Sequence, residues 1–319
     1  MDKETLSNYG WIVICVLVLA VMIALASPFG VFVSDAIKST TQGLFDVNQN
    51  ALNSTGLINI ESQEFPACVH TYENFTCTQC GHVIEHICEY ENYKCNACGK
   101  ELPAPGKTAE EYTWDEIKTI SDLGMGDEYF NLGDTKTIIT TDSKTIVMKI
   151  VAFNTDIKSD GTGTAGITWI SRDSIASRPM NSTHTSVGGW ESSELRAWMQ
   201  GEFYATLPEN IRNSIVSVDK TYLDYNSGSP IDRTCTDNVW VPSARELWGA
   251  ECANWGEKSG VEYTNYFTDY HARMSIGGDN YWYRTAAQYG NSDFRCALGS
   301  TFSGHNAHRA LDVALCFCT

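Results

Sequence analysis

The chain has 319 residues and sets 22 Lys+Arg against 39 Asp+Glu, a formal net charge of −17. Neutralising phosphates needs clustered cations, so this balance excludes a nucleic-acid binder. A hydrophobic fraction of 43% excludes wholesale disorder, and the length allows two domains or one large domain with small attachments.

The first element is apolar. Trp11 to Val33 is an uncharged stretch of 23 residues, enough to span a bilayer as a helix. A cleaved secretory signal stays open, because Ala24-Leu25-Ala26 fits a small-residue cleavage site. Asp2 and Glu4 offset Lys3 in the leader, and the missing positive charge favours a retained membrane anchor over residues 1–33. By either route the rest of the chain is expected outside the cytoplasm, membrane-anchored at the cell surface. Residues 34–66 are polar, with Ile37, Leu44, Val47, Leu52 and Ile58 at loose helical spacing, and read as a stalk.

Residues 67–101 hold an internal repeat. Tyr72-Glu73-Asn74-Phe75-Thr76-Cys77 recurs 18 positions later as Tyr90-Glu91-Asn92-Tyr93-Lys94-Cys95, and Cys80-Gly81 recurs as Cys98-Gly99. Each copy offers four metal ligands: Cys68, His70, Cys77 and Cys80, then His86, Cys88, Cys95 and Cys98. Cysteines two residues apart place both thiolates on one tetrahedral ion, and the following glycine relaxes the turn. A segment this short lacks the apolar mass to fold alone, so ligation of structural zinc supplies the missing free energy. Disulfides are the competing reading outside the cell. The histidines repeat along with the cysteines, which favours zinc. Pairing through Cys77, Cys80, Cys95 and Cys98 alone also stays open. Four ligands per ion leave no open position for catalysis.

Leu102-Pro103-Ala104-Pro105-Gly106 reads as a linker into a domain over residues 107–319. Thr113-x-x-Glu116 is a capping box that opens a helix with Trp114, Ile117 and Ile120 on one face. Thr135–Thr140 and Thr145–Phe153 read as a hairpin across Asp142-Ser143-Lys144, and Ile167–Ile170 as a strand. Glu191–Gln200 is expected to be helical with Leu195, Trp198 and Met199 inward, Pro208 to open a helix carrying Ile211 and Ile215, and Ser243-x-x-Glu246 to cap another. From Gly256 onward only short strand-like pieces are expected. The class is α+β with long surface loops.

Three resemblances add to this. Asn8-Tyr9-Gly10 before an apolar helix resembles the small Flp-type pilins, which implies homo-oligomers or filaments through that helix. Cys-x-His followed by Cys-x-x-Cys-Gly resembles zinc-ribbon-like repeats of surface proteins in Gram-positive gut bacteria; His86-x-Cys88 inverts the order. The third is the most specific. Asn131-Leu132-Gly133-Asp134, Ile150–Phe153, Gly189-Trp190-Glu191-x-Ser193-x-Leu195-Arg196, Leu207-Pro208, Val239–Ser243 with Glu246, and Tyr281–Thr285 resemble a C-type-lectin-like domain of unknown function common in gut Firmicutes. The likeness spans roughly residues 112–319. In some members the final segment is the variable region of a diversity-generating retroelement target protein. Members often end in Gly-Val-(Arg or Ala)-Pro where this chain has Asp312-Val313-Ala314-Leu315.

That resemblance implies a rigid framework holding a ligand-binding surface near the C-terminus. The candidates are Tyr281, Tyr283, Tyr289, Asn291, Asp293, Phe294, Arg295, Ser300, Phe302, His305, Asn306, His308 and Arg309. Aromatic, small polar and Arg side chains mixed in this way resemble antibody paratopes. The expected activity is display and binding of a protein or glycan, without catalysis. One alternative is a pilin-like structural subunit bearing a lectin-like head. The other is an oxidase like the formylglycine-generating enzymes, with Cys316 and Cys318 as paired thiols, although a Cys-x-Cys alternation equally sets two small side chains on one strand face. Gly161-Thr162-Gly163-Thr164 lacks the Lys of a phosphate loop, and Asp156, Asp160 and Asp173 do not match a calcium loop.

Overall fold

The computed structural model describes residues 72–73, 76–77, 90–91, 93–95, 101–226, 229–269, 273, 276, 280–287, 291–298 and 301–319. The anchor and stalk readings at 1–66 lie outside them. Among the described residues no helix is long and apolar enough to cross a membrane. The chain divides into two units, Met1–Glu85 and His86–Thr319, so the boundary falls between the two sets of expected metal ligands.

In the first unit β1 (Tyr72–Glu73) pairs with β2 (Thr76–Cys77), placing Tyr72 opposite Cys77. In the second, β3 (Tyr90–Glu91) pairs with β4 (Lys94–Cys95), placing Tyr90 opposite Cys95. The repeat seen in the sequence therefore folds twice into the same small hairpin. Leu102 to Gly106 is not a free linker. Leu102 is buried and donates its N–H to the Tyr93 carbonyl at 2.7 Å, while the Tyr129 and Tyr112 hydroxyls donate to the carbonyls of Pro103 and Ala104.

The expected elements of the larger domain form where their local signals place them. Helix α1 (Trp114–Asp122) starts at a reciprocal capping box: the Glu116 N–H donates to Thr113 Oγ1 at 3.1 Å, and the Thr113 N–H to Glu116 Oε2 at 2.7 Å. Its Trp114, Ile117 and Ile120 are buried. A one-turn helix, α2 (Gly126–Tyr129), follows. β5 (Thr135–Ile139), β6 (Thr145–Phe153) and β7 (Ile167–Ser171) then run antiparallel, with Ser143 at φ 67° in the first turn. After β8 (Ala176–Arg178), α3 (Glu194–Trp198) runs through a π-helical turn, Met199–Phe203, into α4 (Tyr204–Thr206). α5 (Glu209–Ser214) and α6 (Ala244–Trp248) complete the helices that matter here. Leu195, Met199 and Ile211 point inward as expected, whereas Trp198 is half-exposed beneath the Arg178 guanidinium, 4.2 Å from its ring centre.

Between α5 and α6 lies a hairpin the sequence reading did not anticipate, β9 (Val218–Asn226) with β10 (Ser229–Asp237), nine residues a side. The C-terminal stretch holds β11 (Trp282–Ala286), β12 (Asp293–Leu298) and β13 (Thr301–Asn306) in one antiparallel sheet. The chain then returns across the domain. β14 (Leu311–Val313) pairs with β8, and β15 (Cys316–Cys318) joins β7 in a four-stranded sheet of order β15-β7-β6-β5. No proline sets the step from β14 to β15. Ser171 holds it instead, donating its N–H to the Leu315 carbonyl at 2.7 Å and accepting the Leu315 N–H on its hydroxyl at 2.9 Å. The last sheet is locked by Phe317, whose ring lies 5.8 Å from Trp114 and 6.4 Å from Trp169.

Candidate functional site

The expected binding residues separate into two groups. Tyr281, Tyr283 and Phe294 are fully buried and Arg295 nearly so, because β11 and β12 are covered on both faces. The Tyr281 hydroxyl donates to the Arg273 carbonyl, and the Tyr281 and Tyr283 rings meet edge to face at 5.2 Å. Tyr283 stacks on Phe302 at 5.5 Å, and the Arg295 guanidinium lies over the other reach of that ring at 5.4 Å. Burial pushes the Tyr281 and Tyr283 hydroxyls well above their ordinary range. These four side chains are framework, which corrects their assignment to the ligand surface. Tyr289 and Ser300 lie outside the described residues.

The second group stays in reach of solvent. Asn291, His308 and Arg309 are exposed, and Asp293, Phe302, His305 and Asn306 are half-buried. Asp293 is the hub. Its Oδ1 accepts from Asn306 Nδ2 at 2.7 Å and from Ser292 Oγ at 2.9 Å, and lies 3.3 Å from His184 Nε2. His184 in turn meets the His308 ring edge to face at 5.2 Å. Backbone bonds fix the three contributing segments: Ser186 N–H to the Asn291 carbonyl, Ala307 N–H to Ser292, and Asn181 N–H to Ala307. No local motif marks His184 in the sequence. It stands 109 positions from Asp293, and no spacing rule could have joined them.

Of the expected zinc ligands, Cys68, His70, Cys80, His86, Cys88 and Cys98 lie outside the described residues, and only the backbone of Cys77 is described. Cys95 is buried. Among the described residues no group of three or more His, Cys, Asp and Glu is arranged to hold a metal.

The remaining thiols do not suit nucleophilic chemistry. Cys235, Cys252, Cys296, Cys316 and Cys318 are free and buried. Burial pushes Cys235 and Cys296 up to about 12 and raises Cys316 and Cys318 well above the ordinary thiol value, so the thiolate is suppressed.

Beside Cys318 lies a cluster that sequence reading missed entirely. Lys220, Asp156, Glu246, Arg284 and the Tyr263 hydroxyl form one fully buried network. Lys220 Nζ lies 2.5 Å from Asp156 Oδ1, contacts Glu246 Oε1, and is 3.0 Å from the Tyr263 hydroxyl. Arg284 binds both oxygens of Glu246, at 2.7 and 2.8 Å. Burial alone raises the Glu246 carboxyl, but Arg284 and Lys220 overcome that and hold it at about 2.

Residues 165–316 match the model of a domain of unknown function, DUF6273. Comparison with curated proteins and with solved structures gives no match. The DUF6273 match covers the whole second group of surface residues, His184 included, and every member of the buried cluster except Asp156.

Proposed function

We propose that this chain is a cell-surface display protein whose C-type-lectin-like head binds a protein or glycan without transforming it. The observation that carries this reading is the division of the C-terminal segment. A fully packed layer (Tyr281, Tyr283, Phe294, Arg295) backs a solvent-reaching set (Asn291, Asp293, Phe302, His305, Asn306, His308, Arg309) in which aromatic, amide, imidazole and guanidinium groups lie along β12, β13 and the turns beside them. A rigid backing with adaptable polar tips lowers the entropy lost on binding. The suppressed thiols support binding over oxidase chemistry. In this reading Trp11–Val33 anchors the chain in the membrane. The two cysteine–histidine repeats each hold one structural zinc, a partition supported by the unit boundary between Glu85 and His86.

The full chain in detergent, applied to glycan arrays and to candidate surface proteins, is expected to bind a restricted set. Replacing Asn291, His308 and Arg309 together by Ala is expected to weaken every such interaction tenfold or more, about 1.4 kcal/mol. Equal binding by the triple variant refutes the reading. A neighbouring reverse transcriptase gene with a near-copy of the codons for 281–318, differing mainly at adenines, is the observation that marks the chain as a diversified receptor.

A further inference from the structure

A second close arrangement of titratable side chains lies buried in the core, among residues other than those of the proposed binding face. Lys220 on β9 and Asp156 just beyond β6 bring an amine and a carboxyl to 2.5 Å with no solvent exposure. The Trp240 ring covers the ammonium at 4.3 Å, and each of its three hydrogens has an acceptor: Asp156 Oδ1, Glu246 Oε1 and the Tyr263 oxygen. The carboxyl is held as firmly. Thr168 Oγ1 lies 2.6 Å from Asp156 Oδ2, and the Tyr263 hydroxyl is 3.0 Å from both carboxyl oxygens and 3.1 Å from Glu246 Oε1. By contrast Lys118–Asp122 and Lys94–Glu101 are also close pairs, but they are exposed, so water solvates both charges.

We propose that Lys220 and Asp156 condense into an amide, an intramolecular isopeptide cross-link between Nζ and Cγ, with Glu246 and Tyr263 as proton carriers. The step releases one water and needs no oxidant, reductant or activated donor. Glu246 accepts a proton from Nζ and passes it through the Tyr263 hydroxyl to Asp156, leaving a neutral amine facing a neutral acid. Burial lowers the Lys220 ammonium but Asp156 and Glu246 outweigh it and raise it, so the neutral pair is a transient form that the contact geometry captures. The Nζ lone pair then forms the C–N bond to Cγ. The carbonyl electron pair moves onto Oδ2, where the Thr168 hydroxyl donates. A second Nζ proton follows the same path to Oδ1, which already carries the first, the Oδ2 electron pair re-forms the carbonyl, the bond from Cγ to Oδ1 breaks, and Oδ1 departs as water. One hydrogen stays on the amide nitrogen, and Glu246 ends as the carboxylate it was.

Proximity supplies the driving geometry, since Lys220 on β9 and Asp156 in the loop after β6 are held in contact in the core. The product also leaves the charges balanced. The ions of Lys220 and Asp156 disappear together, and Arg284 remains in its two-point bond to Glu246.

The test is mass spectrometry on the purified full chain after denaturation and trypsin digestion. The expected result is a branched peptide joining the Asp156 and Lys220 segments, lighter than their sum by one water, with no cleavage after Lys220. Lys220→Arg keeps the charge and removes the nucleophile, and is expected to give only linear peptides. Glu246→Gln is expected to slow formation by at least tenfold. Linear peptides with cleavage after Lys220 in the wild-type chain overturn the proposal, and this readout does not depend on any variant folding. A link that forms in Glu246→Gln at the wild-type rate overturns the role given to Glu246. Neither result touches the binding reading, which rests on other residues.

Discussion

Replacing Arg284 by Met asks how much of the head's stability rests on its buried charges. The guanidinium makes four hydrogen bonds: two to Glu246 at 2.7 and 2.8 Å, and one each to the carbonyls of Thr221 and Val241 at 2.9 and 3.0 Å. Methionine fills the stem's volume but donates nothing. Glu246 stays buried without its two-point partner, and stranding a buried ion in this way costs about 3–5 kcal/mol. That is a large share of the roughly 5–15 kcal/mol by which a domain is stable. Urea unfolding of the full chain, followed by tryptophan fluorescence, is expected to show a lower midpoint with an unchanged slope. The pH dependence carries the sign. Glu246 is held at about 2 against an ordinary 4.5. A depressed carboxyl adds stability that is complete above its unfolded value and is lost as pH falls toward its folded one. The difference corresponds to about 3 kcal/mol. In Arg284→Met most of that contribution is already missing, so the gap from wild type narrows as pH falls from about 7 to about 2.5. A variant within about 1 kcal/mol of wild type at neutral pH, or a gap that stays constant on acidification, refutes the reasoning.

Three further outcomes are expected. Zinc analysis of the purified chain gives two ions, four ligands to each, whereas the disulfide reading gives none. Iodoacetamide applied to the native chain leaves Cys235, Cys252, Cys296, Cys316 and Cys318 unlabelled by peptide mapping and labels all five in denaturant; native labelling of Cys316 reopens thiol chemistry. Gly166→Ala destabilises by about 1–3 kcal/mol in urea, since a Cβ there runs into the Ser121 carbonyl oxygen; a neutral result means the β7 entry is looser than its packing indicates.

What the sequence disclosed depended on the range of the signal. Thr113-x-x-Glu116 and Ser243-x-x-Glu246 are complete within four residues, and both capping boxes form. The β5–β6 hairpin is likewise local, set by apolar alternation and a short polar turn. β9 escaped because Lys220 and Asp224 sit at buried positions, where alternation leads one to expect apolar residues. The neutralising partner of Lys220 is remote, Asp156 lying 64 residues before it, whereas Asp224 is paired within the hairpin by Arg233, nine residues on. The same limit governs the candidate binding face. Composition identified the segment 281–309, but aromatic character alone could not tell Tyr283, locked under Phe302, from a tip free to touch a ligand. His184 had no local mark at all.

The division of that segment into packed and outward residues also sets how far the head can evolve. Substitution at Tyr281, Tyr283 or Phe294 removes internal mass from a filled interior, whereas Asn291, His308 and Arg309 can be exchanged with little structural penalty. Any process that randomises the whole stretch spends many of its trials on chains that do not fold. One that confines change to the outward tips keeps nearly every variant viable, so the rate at which new specificities arise is fixed by how sharply mutation is targeted.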